Sequence, residues 1–148
     1  MSERATKVAV TDVPPNRRRG GDVRVLLSPR TVGATSGFMG TLTLEPGEYV
    51  CEHYHPYSEE FVHLVSGLVA LTIGDTTLHL EPGDSAMVPI GVRHRMVNTG
   101  GVPARAVFHL GPLAPRPELG HVDTEFLPGA ENEPSPQVGG APAAGTAT

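Results

Sequence analysis

Residues 47–67 read GEYVCEHYHPYSEEFVHLVSG. Two β-prone runs, Tyr49 to His53 and Glu60 to Val65, flank Pro56-Tyr57-Ser58, a turn-forming interruption. His53 and His55 are one residue apart, and on an extended chain residues i and i+2 project from the same face, so both imidazoles can reach one ion. A carboxylate follows at Glu59 or Glu60. If the turn closes a hairpin, the returning strand brings the alternating set Glu60, Val62 and Leu64 to the histidine face, which favours Glu60 over Glu59 and turns His63 outward. With His94 further along, the chain offers three imidazoles and one carboxylate, a donor set for a divalent cation. A lone histidine is more often a hydrogen-bonded or exposed side chain, so the pattern carries the reading and no single residue does.

Working outward, short β-rich segments continue at Val23 to Leu27, Phe38 to Leu44, Leu68 to Ile73, Thr77 to Leu80, Ala86 to Val88, His94 to Val97 and Ala104 to Leu110. Turn signals separate them, among them Glu45-Pro46-Gly47, Gly74-Asp75, Glu81-Pro82-Gly83 and Gly100-Gly101. Regularly spaced short strands mean a sandwich, a closed barrel or a jelly roll, and 18 glycines with 15 prolines fit a helical bundle badly. Alternation in Thr41 to Leu44 and Thr77 to Leu80 favours a barrel with an interior. The 148 residues suffice for one all-β domain, expected over 22–127. Residues 1–21, with Arg17, Arg18 and Arg19 in a row, read as a solvated N-terminal arm, and 128–148 as a disordered tail with almost nothing to bury. A net charge of −5 argues against nucleic-acid binding, and no apolar run is long enough to cross a bilayer. Cys51 is the only cysteine and the first residues lack the apolar core of a secretory signal, so the expected compartment is the cytoplasm.

Two spacings then become decisive. Gly47, His53, His55, Glu60 and Gly67 are separated by five, one, four and six residues; Gly83, Pro89, Gly91, His94 and Asn98 by five, one, two and three. Together they resemble the two signatures of the cupin superfamily. The resemblance implies a double-stranded β-helix, or jelly-roll barrel, in which His53, His55, Glu60 and His94 converge on one metal while Asn98 completes a strand-end hydrogen-bond arrangement. A narrower resemblance rests on Gly37-Phe38-Met39-Gly40-Thr41, on His53 to Phe61, and on Phe108 to Glu125. These segments are similar to the single-domain cupin cyclases of aromatic polyketide pathways, such as those of tetracenomycin and resistomycin. That similarity implies a metal-dependent, non-redox cyclase that closes rings by aldol chemistry and aromatises a poly-β-ketone. His109 stands apart: an inward His109 would rival Glu60 for the fourth ligand position and leave Glu60 as base.

The implied chemistry needs a Lewis acid to stabilise an enolate, a base, for which Glu60 and His109 are the candidates, and a shaped apolar wall. Phe38, Met39, Leu42, Tyr49, Met87, Met96 and Phe108 are the candidate pocket residues. Zinc is the first expectation for the ion, with iron, manganese, nickel or cobalt as alternatives. The implied partners are a polyketide substrate, an acyl carrier protein meeting the arginine run, and a second copy forming a homodimer. Two other readings compete: a metal-dependent oxygenase, because two histidines and a carboxylate also suit iron, and a non-catalytic ligand-binding cupin.

Overall fold

A computed structural model describes residues 6–138. All nine expected strands form. They are β1 (Asp22–Leu27), β2 (Phe38–Leu44), β3 (Tyr49–Tyr54), β4 (Glu59–Ser66), β5 (Val69–Ile73), β6 (Thr76–Leu80), β7 (Ser85–Val88), β8 (His94–Asn98) and β9 (Ala104–Gly111), and burial alternates most clearly along β2, β4, β8 and β9. A two-residue strand, β10 (Val122–Asp123), and a one-turn helix, α1 (Pro29–Val32), complete the set. Two five-stranded antiparallel sheets face each other, in the orders β1-β2-β9-β4-β7 and β10-β3-β8-β5-β6. This is the expected all-β barrel. No helix among the described residues is long and apolar enough to cross a membrane.

The inner faces make one core. Leu42 and Leu44 of β2, Val62 and Leu64 of β4, Leu71 of β5, and Ala106, Phe108 and Leu110 of β9 are buried, while the residues between them in β4 and β9 face outward or are half-buried. Each fully buried aliphatic side chain contributes about 1.5–3 kcal/mol. Asn98 ends β8 by donating from Nδ2 to the carbonyls of Leu44 and Val102, both at 2.9 Å, and its Oδ1 accepts from the Gly100 amide. The buried amide thus ties three chain segments together at the closed end of the barrel.

The two terminal segments depart from expectation. The stretch before β1 is not a free arm. Asn16 bridges Val23, and the Arg19 carbonyl accepts from the Cys51 amide of β3 at 2.8 Å. Gly20 makes that approach possible: its φ is +107°, and a Cβ there would run into the Tyr49 carbonyl. Nor are residues 128–138 unpacked. Asn16 donates to the Pro134 carbonyl at 2.8 Å, Arg18 Nη1 to the Glu133 carbonyl at 2.7 Å and Arg30 Nη1 to Gln137 at 3.0 Å, while Val138 packs against the core. Composition missed this because the segment is held by backbone carbonyls and scattered side chains, without a periodic apolar face. Residues 139–148 of the expected tail lie outside the described residues.

Candidate metal centre and its chamber

β3 delivers His53 inward, the turn after it carries His55, β4 returns with Glu60, and β8 begins at His94, which lies opposite His53 in the register. One ligand atom from each of the four lies within 4.8 Å of every other. The three imidazoles are buried and packed ring to ring, with centroids 4.3–5.2 Å apart. Each Nδ1 is committed to a backbone carbonyl: His53 to Cys51 at 2.8 Å, His55 to Gly120 at 3.0 Å and His94 to Val92 at 3.1 Å. These bonds fix the Nδ1–H tautomer of the neutral rings, leaving the Nε2 lone pairs for the centre.

Whether the donors suit a cation can be read from what their free atoms lack. Nε2 of His55 and Nε2 of His94 are buried without a hydrogen-bond partner, yet Glu60 Oε2 lies 2.7 Å from the latter and 3.7 Å from the former. Lone pairs that close repel unless a proton or a metal ion sits between them. Electrostatics agree. Burial holds His53 well below the ordinary histidine range, helped by His94 and Arg19, and burial also lowers His55. Burial would raise Glu60, but His94 above all, with the other two imidazoles, draws it down to about 2. Burial likewise opposes the charge on His94, and Glu60 overcomes it, so His94 is raised. Two imidazoles held neutral, a carboxylate that stays ionised, and a third imidazole whose raised pKa reflects that same carboxylate make a donor set that fits a divalent cation.

His109 is corrected. Phe108 and Leu110 point inward, so strand parity turns His109 out, where its exposed ring lies 6.0 Å from Phe61 and its register partner is Met39. It does not reach the cluster, which among the described residues joins Glu60 to the three histidines. Parity removes Met39 and Met87 from the pocket as well, since both lie on the outer side of strands whose alternate residues face in; Met87 is exposed. Tyr49 also misses the pocket and sits under the Arg95 guanidinium, 4.3 Å from its ring centroid. Phe38, Leu42, Met96 and Phe108 do line the interior beside the cluster, with Phe38 and Phe108 edge to face at 6.5 Å.

The chamber above the cluster encloses about 100 Å³. Its upper wall comes from residues the strand pattern did not single out: Arg19, Leu113, Pro117, His121, Pro136 and Val138. The arginine run is engaged there, because Arg19 Nε and Arg18 Nε meet the two oxygens of Asp123 at 2.7 and 3.4 Å. It is therefore not the free basic strip expected for a carrier protein. β10 makes this possible by pairing Asp123 with His53 on β3. In the sequence the signal for it is the set His121, Asp123 and Glu125 near the end of the segment Phe108 to Glu125.

The cupin domain model matches residues 40–110, which contain all four cluster residues. Protein SchB of Streptomyces halstedii is 61% identical over 83% of this chain and 89% of its own length. The chain is a cupin. It belongs to one family with SchB and with two further Streptomyces proteins. The tetracenomycin polyketide synthase protein TcmJ of Streptomyces glaucescens is 50% identical over 92% of this cupin and 91% of its own length. The polyketide synthase CurC of Streptomyces cyaneus is 57% identical over 80% and 77%. A Klebsiella pneumoniae protein with a double-stranded β-helix domain shares the fold, with a TM-score of 0.65 at 20% identity over 82% of this cupin and 99% of that chain.

Proposed function

We propose that this cupin acts in aromatic polyketide biosynthesis as a metal-dependent cyclase, closing rings in a poly-β-ketone by aldol chemistry and aromatising them. The observation that carries the reading is a histidine and glutamate cluster opening onto a mostly apolar, roofed chamber. The names of TcmJ and CurC place two relatives in polyketide synthases and support the substrate class. His53, His55, Glu60 and His94 would hold a divalent cation, zinc in our reading, which when bound supplies Lewis acidity toward a carbonyl oxygen.

The chain's own residues do the rest. Phe38, Leu42 and Phe108 confine the ligand and exclude water, so that one folding of a reactive chain is favoured over others. Glu60 is the only carboxylate lining the chamber among the described residues. Oε2 is turned to the histidines, and Oε1 is left to take a proton from a carbon between two carbonyls. The pair of electrons released forms the new carbon–carbon bond, and the proton goes to the oxygen of the attacked carbonyl. Loss of water then gives the aromatic ring. Such a methylene is acidic enough for a weak base that is ionised at any working pH. A second copy would cover the outer face at Phe61 and Met87, both exposed. An acyl carrier protein would have to dock elsewhere than on Arg18 and Arg19.

The test is anaerobic turnover of a carrier-bound poly-β-ketone by zinc-loaded protein, chelated protein, and the His53→Ala and His94→Ala variants. One cyclised product that requires the metal, His53 and His94 is the expected result. An oxygen requirement would transfer the protein to the oxygenases, and binding without a new product would make it a ligand carrier.

A further inference from the structure

Arg19 has no part in the metal cluster, yet it is placed with as much care. Its side chain is 11% exposed, and the Asp123 carboxylate holds its Nε at 2.7 Å. Asp123 is itself paired across β10 and β3 with His53, which anchors the guanidinium next to the histidines. The backbone of Arg19 is pinned to Cys51, two residues before His53. Nη2 is buried and has no hydrogen-bond partner, although Arg19 lines the chamber. Leaving a buried donor of a charged group unpaired is destabilising, so a fold that keeps one calls for a partner that arrives later. The other polar groups lining the chamber are already engaged: Asn16 with the Pro134 carbonyl and the Arg18 amide, His121 with Ser135, Ser58 with the Pro112 carbonyl, and Glu60 with the histidines.

We propose that Arg19 is an anion-binding subsite of the chamber, which takes an anionic oxygen of the ligand, a carboxylate or a delocalised enolate or phenolate, while the rest of the ligand extends toward the metal cluster. A guanidinium suits this role because it stays charged and presents planar donors to a flat, delocalised oxyanion. Tethering Nε to Asp123 fixes its orientation and leaves the free edge for the ligand. The subsite rests on the chamber being the ligand site of the proposed function, and does not depend on ring closure.

The experiment is calorimetric titration of the zinc-loaded protein with three probes: 3-hydroxy-2-naphthoate, its neutral amide, and dimedone, which is an enolate at neutral pH. In Arg19→Gln the naphthoate or the enolate should bind about tenfold or more weakly while the amide changes little, with zinc content unaltered. Loss for the naphthoate alone identifies a carboxylate end, and loss for dimedone alone an enolate. Equal weakening of acid and amide, or no weakening of either anion, overturns the proposal. Should Arg19→Gln fail to fold, the wild-type protein decides: its preference for acid over amide must survive chelation of the metal, and a preference that vanishes with the ion refutes the subsite. Arg19-dependent anion binding in a protein that makes no cyclised product would retain the subsite and remove the cyclase reading.

Discussion

Deleting residues 131–148 removes the segment that roofs the chamber, and the structure sets the scale of the effect. Ordering the eight residues 131–138 costs about 1–2 kcal/mol each in backbone entropy, hence roughly 8–16 kcal/mol. Against this stand six hydrogen bonds: Asn16 to Pro134, Arg17 and Arg18 to Glu133, Arg30 to Gln137 and to Val138, and His121 to Ser135. At about 0.5–1.5 kcal/mol apiece, with the packing of Pro136 and Val138 added, they return roughly 6–12 kcal/mol. The two ranges overlap between about 8 and 12 kcal/mol, so the segment is close to balance, and its closed position in the structure puts it on the favourable side. A closed state favoured by about 1–2 kcal/mol leaves the mouth open roughly 3–15% of the time. Deletion should move Tm by less than about 5 °C and raise the association rate of 3-hydroxy-2-naphthoate by roughly 5–30-fold. Opening is also required by size: about 100 Å³ is well short of the roughly 300–1,000 Å³ of ordinary small-molecule sites. A fall in Tm beyond about 10 °C, or an unchanged association rate in stopped-flow fluorescence, would refute the reasoning.

His53→Ala and His94→Ala should each abolish stoichiometric metal binding by elemental analysis, whereas His109→Ala should retain it, because that ring lies outside the barrel wall. His121 is half-buried, and burial, reinforced by Arg19, lowers its pKa from 6.5 to about 4. The folded protein thus resists a proton that the unfolded chain accepts, so stability is lost as pH falls from about 6.5 toward 4. The upper bound is about 3 kcal/mol, reduced to about 2 by its partial exposure, and denaturant titrations of His121→Gln should be flatter by that amount across the window. Phe108→Ala should cost about 3–5 kcal/mol in the same titrations and loosen the chamber wall enough to broaden the product mixture, as read by chromatography.

Strand parity made most of this molecule legible in its sequence. It set Glu60, Val62 and Leu64 inward and His63 outward, and the burial of β4 follows that order. The same rule, applied to β9 with Phe108 and Leu110 inside, would have turned His109 out; its aromatic and aliphatic neighbours suggested an interior position where period 2 forbids one. Met39 and Met87 were misplaced for the same reason, hydrophobic character having been weighted above phase. The roof was illegible for a different cause. Arg19, His121 and Val138 come together through β10, a two-residue strand with no period to read, and through backbone carbonyls that no composition reports. Asp123 shows the limit well, since its importance lies in facing His53 across a ladder and not in its neighbours along the chain.

The roof also has a place in time. Residues 131–138 follow the barrel strands in the chain, so synthesis delivers them after His53, His55, Glu60 and His94. The donor set can thus assemble beneath an open mouth, and a cation can enter from above during maturation by a route that the finished protein then covers. Exchange of that ion in the mature protein becomes tied to the breathing of a short surface segment, and its retention a matter of kinetics as much as of affinity.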